Sequence, residues 1–218
     1  TDADLDGTLD VVVGGADHVL FLSGNGDGSF QPAAALPAPL TGATDTWVGV
    51  GDLDGDGTPD LLRLADNANP SMSLGSSGGF GPLTEMGGIG PMSAAGAVFD
   101  VDGDGRLDVL AVATSPTGAL TVSMNSAMGL QPYSSYQSGT GPFALDVADF
   151  DGDGLGDAVM SNSGSNNLAI FQSSAPGSYL PADFVAVGST PSAVGAADLD
   201  LDGHPDIAVA NEGDTAVG

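Results

Sequence analysis

The segment Asp52-Leu53-Asp54-Gly55-Asp56-Gly57-Thr58-Pro59-Asp60 places four carboxylates within nine residues. Its pattern, Asp-x-Asp-x-Asp-Gly-x-x-Asp, occurs five times in the 218-residue chain, and its residues are numbered here as positions 1 to 9. The copies, called loops 1 to 5, span residues 2–10, 52–60, 100–108, 149–157 and 198–206. Because their first aspartates are separated by 50, 48, 49 and 49 residues, the chain consists of a repeat of about 49 residues.

Other features recur in the same register as the loops. An apolar run follows each loop, and a second apolar stretch begins about ten residues later, as in 109–112 and 120–124. Glycine (35 residues) and proline (14 residues) supply turns between these stretches, and no segment shows a sustained helical period. Each repeat therefore predicts four short strands. A four-stranded unit of this length is typical of a β-propeller blade, with a β-sandwich or a solenoid as the alternative.

We therefore predict an all-β protein, a β-propeller of four-stranded blades in a single domain over residues 1–218. The repeats lie near residues 1–48, 49–96, 97–145, 146–194 and 195–218. The first repeat lacks an opening strand and the last reaches only its third strand, so we expect both of these blades to be incomplete. Because natural proteins avoid exposed strand edges, we expect further copies of the chain, or the rest of a longer one, to close the ring.

The aspartate loop predicts a calcium site. Two carboxylates about 4 Å apart repel each other by about 4 kcal/mol at an effective dielectric constant of about 20, so folding the loop requires a cation. Positions 1, 3 and 5 would supply side-chain oxygens, position 7 a backbone carbonyl and position 9 a further ligand, while the glycine at position 6 permits the sharp turn. Hard oxygen ligands favour Ca²⁺ over zinc or copper, and Mg²⁺ prefers fewer protein ligands. An EF-hand is excluded because position 12 is never glutamate and the flanking segments are strand-like.

About five calcium sites are predicted in this way, one in each loop. The aspartate ligands are Asp2, Asp4, Asp6 and Asp10; Asp52, Asp54, Asp56 and Asp60; Asp100, Asp102, Asp104 and Asp108; Asp149, Asp151, Asp153 and Asp157; and Asp198, Asp200, Asp202 and Asp206. The carbonyl ligands at position 7 belong to Thr8, Thr58, Arg106, Leu155 and His204.

The five loops resemble those of the FG-GAP/VCBS repeat family, the calcium-loop propellers typified by integrin α-subunit heads. The segment Asn25-Gly26-Asp27-Gly28-Ser29-Phe30-Gln31-Pro32 and the pair Phe80-Gly81 add to the resemblance, which covers essentially the whole chain. It implies a propeller with calcium between the first two strands of each blade. Family propellers usually have seven blades, whereas five loops are present here.

Composition excludes several functions. The formal net charge is −27 and the only arginines are Arg63 and Arg106, so the surface would repel nucleic acids and anionic membranes. The absence of cysteine and lysine excludes disulfides, thiol chemistry and Schiff bases, and no apolar run is long enough to span a membrane. Neither His18 nor His204 belongs to a catalytic motif, so we expect no enzymatic activity. Arg63 is expected to face solvent or to pair with an aspartate.

A binding or adhesion module with structural calcium is the remaining interpretation, and its ligand, a protein or a glycan, would bind to the propeller loops. A propeller lectin is one alternative, for which Tyr133 and Tyr136 are the candidate sugar-stacking residues. An architectural repeat of a surface stalk or filament, and an accessory domain of a larger secreted enzyme, are the others. Because such loops suit calcium near millimolar concentration, we expect the protein outside the cell: secreted, on the cell surface or periplasmic.

Overall fold

The structure is a computed structural model that describes residues 1–15, 18–37, 45–65, 70–86, 95–114 and 117–213. These residues form strands and turns, and none of them is helical. The described part of the chain accordingly has no helix that could cross a membrane. The third strand predicted for the last repeat falls on residues 214–218, which lie outside the described residues.

The strands follow the five repeats, and each repeat forms one blade. Blade 1 contains β1 (Val11–Gly14), β2 (His18–Leu22) and β3 (Ala34–Pro37). Blade 2 contains β4 (Asp45–Gly51), β5 (Asp60–Ala65), β6 (Ser71–Ser73), β7 (Gly75–Ser76), β8 (Gly79–Phe80) and β9 (Thr84–Glu85). Blade 3 contains β10 (Gly96–Phe99), β11 (Asp108–Ala113), β12 (Ala119–Ser123), β13 (Asn125–Ser126), β14 (Gly129–Leu130) and β15 (Ser134–Gln137). Blade 4 contains β16 (Pro142–Ala148), β17 (Asp157–Asn162), β18 (Asn167–Phe171), β19 (Ser173–Ala175), β20 (Ser178–Tyr179) and β21 (Asp183–Ala186), and blade 5 contains β22 (Pro191–Ala197) and β23 (Asp206–Asn211).

Blades 2, 3 and 4 are antiparallel four-stranded sheets, ordered β4-β5-β6-β9, β10-β11-β12-β15 and β16-β17-β18-β21. Among the described residues, blade 1 has three strands and lacks an opening strand, as predicted. Blade 5 has two described strands, and its predicted third strand lies outside the described residues. Loops 2 to 5 each connect the first strand of a blade to the second. The first strands of neighbouring blades lie against one another, so they form the inner edges of the sheets.

Blades 2, 3 and 4 each contain a short hairpin in addition to the four strands that the repeat pattern predicts. It lies between the third and fourth strands, where β7 pairs with β8, β13 with β14 and β19 with β20. In blade 1 a bridge between Gly24 and Phe30 occupies the same place. These segments, called the outer hairpins, span residues 24–30, 75–80, 125–130 and 173–179. They are important because their backbone groups bind the aspartate loops.

The hydrophobic core is divided among the interfaces between neighbouring blades. Successive side chains on a strand point to opposite faces of its sheet. Leu61 therefore packs with Val19 of blade 1, whereas Leu62 packs with Val109 of blade 3. Similar clusters join blades 3 and 4 and blades 4 and 5. The second strands β5, β11 and β17 are buried along their whole length, which explains why apolar runs follow the loops.

Burial thus depends on how many blades cover a strand. Arg63, expected to face solvent or to pair with an aspartate, is fully buried because neighbouring blades cover both faces of β5. In β1, by contrast, Val12 packs into the interface with blade 2, while Val11 and Val13 on the other face are 37% and 44% exposed.

Candidate metal centre

The backbone N–H groups of each loop point to its aspartate carboxylates. In loop 2, one oxygen of Asp52 accepts hydrogen bonds from the N–H groups of Gly55 (2.8 Å) and Asp56 (3.1 Å). The other oxygen accepts one from the N–H of Gly57 at 2.9 Å. The bonds from positions 5 and 6 to position 1 recur in all five loops. Each loop therefore wraps around its first carboxylate in the same way.

This wrap requires left-handed backbone at positions 4 and 6. Position 6 is glycine in every loop, with φ between 86° and 93°. Position 4 is glycine in loops 2, 3 and 4, but it is Leu5 in loop 1 (φ 60°) and Leu201 in loop 5 (φ 65°). A left-handed conformation costs a residue with a side chain about 1–2 kcal/mol. Loops 1 and 5 therefore carry backbone strain at a position where the other three loops have glycine.

Three carboxylates converge in each loop. In loops 2 to 5 the aspartates at positions 1, 3 and 9 each bring an oxygen within 4.8 Å of the other two, and in loop 1 the aspartates at positions 1, 3 and 5 do so. The trios are Asp2, Asp4 and Asp6; Asp52, Asp54 and Asp60; Asp100, Asp102 and Asp108; Asp149, Asp151 and Asp157; and Asp198, Asp200 and Asp206. Position 5 accepts the N–H of position 7 at 2.7–2.9 Å in all five loops. The carbonyl ligands at position 7 stay a prediction.

The aspartate at position 9 anchors the loop in addition to facing the other carboxylates. Asp60 is fully buried, and its two oxygens accept hydrogen bonds from the N–H groups of Leu53 (2.9 Å) and Gly75 (2.8 Å). The same pair of bonds forms at Asp10, Asp108 and Asp157, where the outer hairpin donors are Gly24, Asn125 and Ser173. Position 9 therefore fastens its loop to the outer hairpin, a role that the spacing of aspartates did not predict.

Burial and hydrogen bonding shift the carboxyl pKa values in opposite directions within a loop. Burial raises the pKa of Asp60 and Asp157, and it raises the pKa of Asp108 from 3.8 to about 6. The hydroxyl and N–H of Thr58 lower the pKa of Asp56, and those of Thr8 lower that of Asp6. Burial therefore makes Asp60, Asp108 and Asp157 harder to ionise, while hydrogen bonds favour the ionised forms of Asp6 and Asp56.

The donor set fits a hard cation. In Asp52, Oδ1 accepts two N–H bonds, whereas Oδ2 accepts one from Gly57 and keeps a lone pair. A cation can therefore bind Oδ2 without displacing the hydrogen bonds that shape the loop. The trios contain only oxygen donors, which suits Ca²⁺ better than zinc or copper. A bound cation would neutralise the crowded charges and join the loop to the second strand through position 9.

A cavity of about 270 Å³ lies between blades 2 and 3, beside loops 2 and 3. Leu53 and Met72 contribute apolar wall, and Asp54 and Arg106 contribute charged groups. The Arg106 guanidinium lies over loop 2, with Nη1 3.7 Å from the point that a Cβ on Gly55 would occupy. Apolar surface beside a few polar groups is the composition of small-molecule sites.

The two tyrosines considered as sugar-stacking residues occupy different environments. Tyr133 precedes β15 and is 41% exposed. Tyr136 lies in β15, is half-buried and packs edge-to-face against Tyr179 with ring centroids 5.4 Å apart. Of the pair, Tyr133 is therefore the one exposed to solvent.

Solved structures with similar folds were found at low sequence identity. A lectin from Agrocybe aegerita that recognises non-reducing terminal N-acetylglucosamine matches with a TM-score of 0.59 and 24% identity over 82% of this chain and 49% of its own. A Photorhabdus luminescens Tc holotoxin pore matches with a TM-score of 0.53 and 20% identity over 96% of this chain and 10% of its own. A functionally unknown Desulfotomaculum acetoxidans protein matches with a TM-score of 0.58 and 14% identity over 93% of this chain and 59% of its own. The chain thus spans about half of the lectin.

These likenesses agree with the predicted all-β, propeller-like architecture. No match was found among curated protein sequences. A family model described as an FG-GAP-like repeat matches residues 2–63, 100–160 and 149–209, which together are more than half of the sequence and contain all five aspartate loops. The chain therefore belongs to the FG-GAP-like repeat family.

Proposed function

We propose that this chain is an extracellular, calcium-stabilised propeller module that binds a protein ligand through its loops and has no catalytic role. The observation that carries the calcium proposal is the convergence of three carboxylate oxygens within 4.8 Å in every loop. Without a cation, these charges repel one another in positions that the backbone hydrogen bonds enforce. Calcium removes this repulsion, so its binding favours the folded state.

Calcium has a structural role in this proposal. The five loops fold around the carboxylate at position 1 through the same backbone hydrogen bonds. Position 9 ties four of the loops to an outer hairpin. Calcium-binding modules outside cells have dissociation constants of about 10⁻⁴–10⁻³ M. The proposed extracellular position assigns these loops to that class. The ligand would bind to the connecting loops of the blades, because function on such folds resides in loops.

Calcium titration by calorimetry, together with thermal melting, tests the proposal. We expect about five sites, and a stabilisation of about 2.7 kcal/mol per site when free calcium is 100 times Kd. Asp151→Asn removes a carboxylate from the loop 4 trio and should abolish or weaken one site. Asp183→Asn is the matched control, because Asp183 is exposed in β21 outside the loops. Equal melting temperatures in calcium and in chelator would refute the proposal.

Glycan binding is a second candidate function. The cavity between blades 2 and 3 favours it, because a neutral sugar could pack on Met72 while its hydroxyl groups bond to Asp54 and Arg106. A neutral ligand also avoids repulsion from a strongly acidic chain. The similarity to a fungal lectin adds support at the level of the fold.

A glycan array in the presence of calcium separates the two candidates. Sugar binding that is lost in Arg106→Gln but kept in Tyr133→Ala would assign the sugar to the cavity. Loss in Tyr133→Ala alone would assign it to the exposed tyrosine. If no glycan binds, pull-down with surface proteins at millimolar calcium tests the protein ligand.

A further inference from the structure

We propose that loops 2, 3 and 4 bind calcium as one coupled group, from which loop 1 is separated. Hydrogen bonds that run from one loop to the next through the blade interfaces carry this inference. It rests on the proposed calcium binding, and it means that calcium bound at one of these loops raises the calcium affinity of its neighbour.

The link between loops 2 and 3 passes through Asn125. This residue is 4% exposed, and its backbone N–H donates to Oδ1 of Asp108, position 9 of loop 3, at 2.7 Å. Its side-chain Nδ2 crosses the interface and donates to the carbonyl oxygen of Leu53 in loop 2 at 2.6 Å. The N–H of Leu53 in turn donates to Oδ2 of Asp60, position 9 of loop 2, at 2.9 Å. Two buried carboxylates from different calcium loops are thus joined by three consecutive hydrogen bonds.

The link between loops 3 and 4 uses the backbone alone. Gly156, at position 8 of loop 4, donates its N–H to the carbonyl oxygen of Val101 in loop 3 at 3.3 Å. The N–H of Val101 donates to Asp108 at 3.0 Å. Val101 is fully buried in the core between blades 3 and 4, so this contact is shielded from water. Loop 3 is therefore tied to both of its neighbours.

Among the residues that the structure describes, loop 1 has neither kind of link to blade 2. Position 8 of loop 2 is Pro59, which has no N–H to donate to loop 1. The outer hairpin residue equivalent to Asn125 is Gly75, which has no side chain to reach across the interface. Pro205, at position 8 of loop 5, likewise has no N–H to donate to loop 4.

Coupling follows from the order that a cation imposes. Calcium bound to Asp108 would fix the peptide of Asn125 and, through its amide, the position of Leu53 and Asp60. A second calcium then binds a loop that is already ordered, which lowers the entropy lost on binding and makes the affinities cooperative. Thermodynamic linkage requires the effect of loop 3 on loop 2 to equal the effect of loop 2 on loop 3.

Calcium titration followed by NMR can read each site separately. The amide groups of Gly7, Gly57, Gly105 and Gly154 each donate to position 1 of their own loop and report its calcium midpoint. The double variant Asp102→Asn with Asp104→Asn disables loop 3 but keeps the anchor Asp108. We expect the midpoints of Gly57 and Gly154 to rise about fivefold or more, and that of Gly7 to stay unchanged.

Two further substitutions remove the links themselves, each with a matched control. Asn125→Ser deletes the crossing amide, and the blade should tolerate it because Ser173 makes the same backbone bond in blade 4. Its control is Asn25→Ser, since the Asn25 amide donates within its own hairpin.

Gly156→Pro deletes the N–H donor of the link between loops 3 and 4. Its control is Gly156→Ala, which brings the same Cβ against Phe99 and keeps the N–H.

With Asn125→Ser, disabling loop 3 should no longer shift the Gly57 midpoint, and with Gly156→Pro it should no longer shift that of Gly154. Unshifted midpoints in the chain with both links intact would overturn the coupling while leaving five independent calcium sites. An equal shift at Gly7 would also overturn it, because it would indicate a general electrostatic effect. If calcium changes none of the four amide signals, the proposed calcium function itself fails.

Discussion

Glycine at loop position 6 is the residue on which the loop conformation most directly depends. Its φ of 86–93° lies in the left-handed region, and its N–H closes the turn on the carboxylate at position 1. At Gly57 an added Cβ would meet no atom within 4 Å, so the cost of a side chain there comes from the backbone alone. The sequence signal for this residue was strong, because the pattern repeats glycine at position 6 in every loop.

We expect Gly57→Ala to destabilise the protein by about 1 kcal/mol, because an alanine must adopt the left-handed conformation. Gly78→Ala is the control, since an added Cβ there also meets nothing and its φ is not positive. Chemical denaturation of both variants in calcium measures the difference. Equal stability of the two variants would show that the loop backbone changes conformation.

The loop and the outer hairpin act as one element through the aspartate at position 9. Asp157 is buried, and its carboxylate accepts hydrogen bonds from Phe150 (2.9 Å) and Ser173 (2.7 Å). Asp151 at position 3 is exposed and accepts only from within the loop. The spacing of aspartates predicted both residues as ligands. It could not separate them, because the anchor function depends on a hairpin about 15 residues away.

Asp157→Ala should therefore destabilise the calcium-free protein by about 2–4 kcal/mol, since the buried N–H of Ser173 and the partly buried N–H of Phe150 lose their acceptor. Asp151→Ala should change the stability of the calcium-free protein by at most about 0.5 kcal/mol and should weaken calcium binding to loop 4. Denaturation in chelator and calcium titration measure the two effects. A large loss with Asp151→Ala in chelator would contradict this division of roles.

On the scale of the whole molecule, the acidic charge is a consequence of the repeats. Twenty of the 27 aspartates lie in the five loops, so five calcium ions would offset ten negative charges at the places where they are most crowded. Three of the buried position 9 aspartates, Asp60, Asp108 and Asp157, have pKa values raised by burial. The stability of the molecule should therefore respond to pH in opposite directions with and without calcium.

Without calcium, folded Asp108 binds a proton near pH 6, whereas the unfolded chain binds it only near pH 3.8. The folded state therefore gains stability from this group as the pH falls from 7 towards 4, and loses that gain as the pH rises through 6. With calcium, protons compete with the cation, so stability should fall as the pH falls. Melting temperatures between pH 5 and 7 test both trends, and Asp108→Asn should flatten the calcium-free trend. A calcium-free protein that becomes less stable on acidification would contradict the expectation.

The aspartate repeat by itself predicted an all-β chain of four-stranded units, which three blades show, and it named the candidate ligands. This was possible because an aspartate loop and the strand after it are local features, encoded within about 15 residues. Only the tertiary structure decided which residues are anchors, links and core. Arg63 is buried because two blades cover β5, and Asn125 of blade 3 reaches Leu53 of loop 2, which lies 72 residues away in the sequence. Such roles arise from the packing of blades against each other, which the pattern within one repeat does not contain.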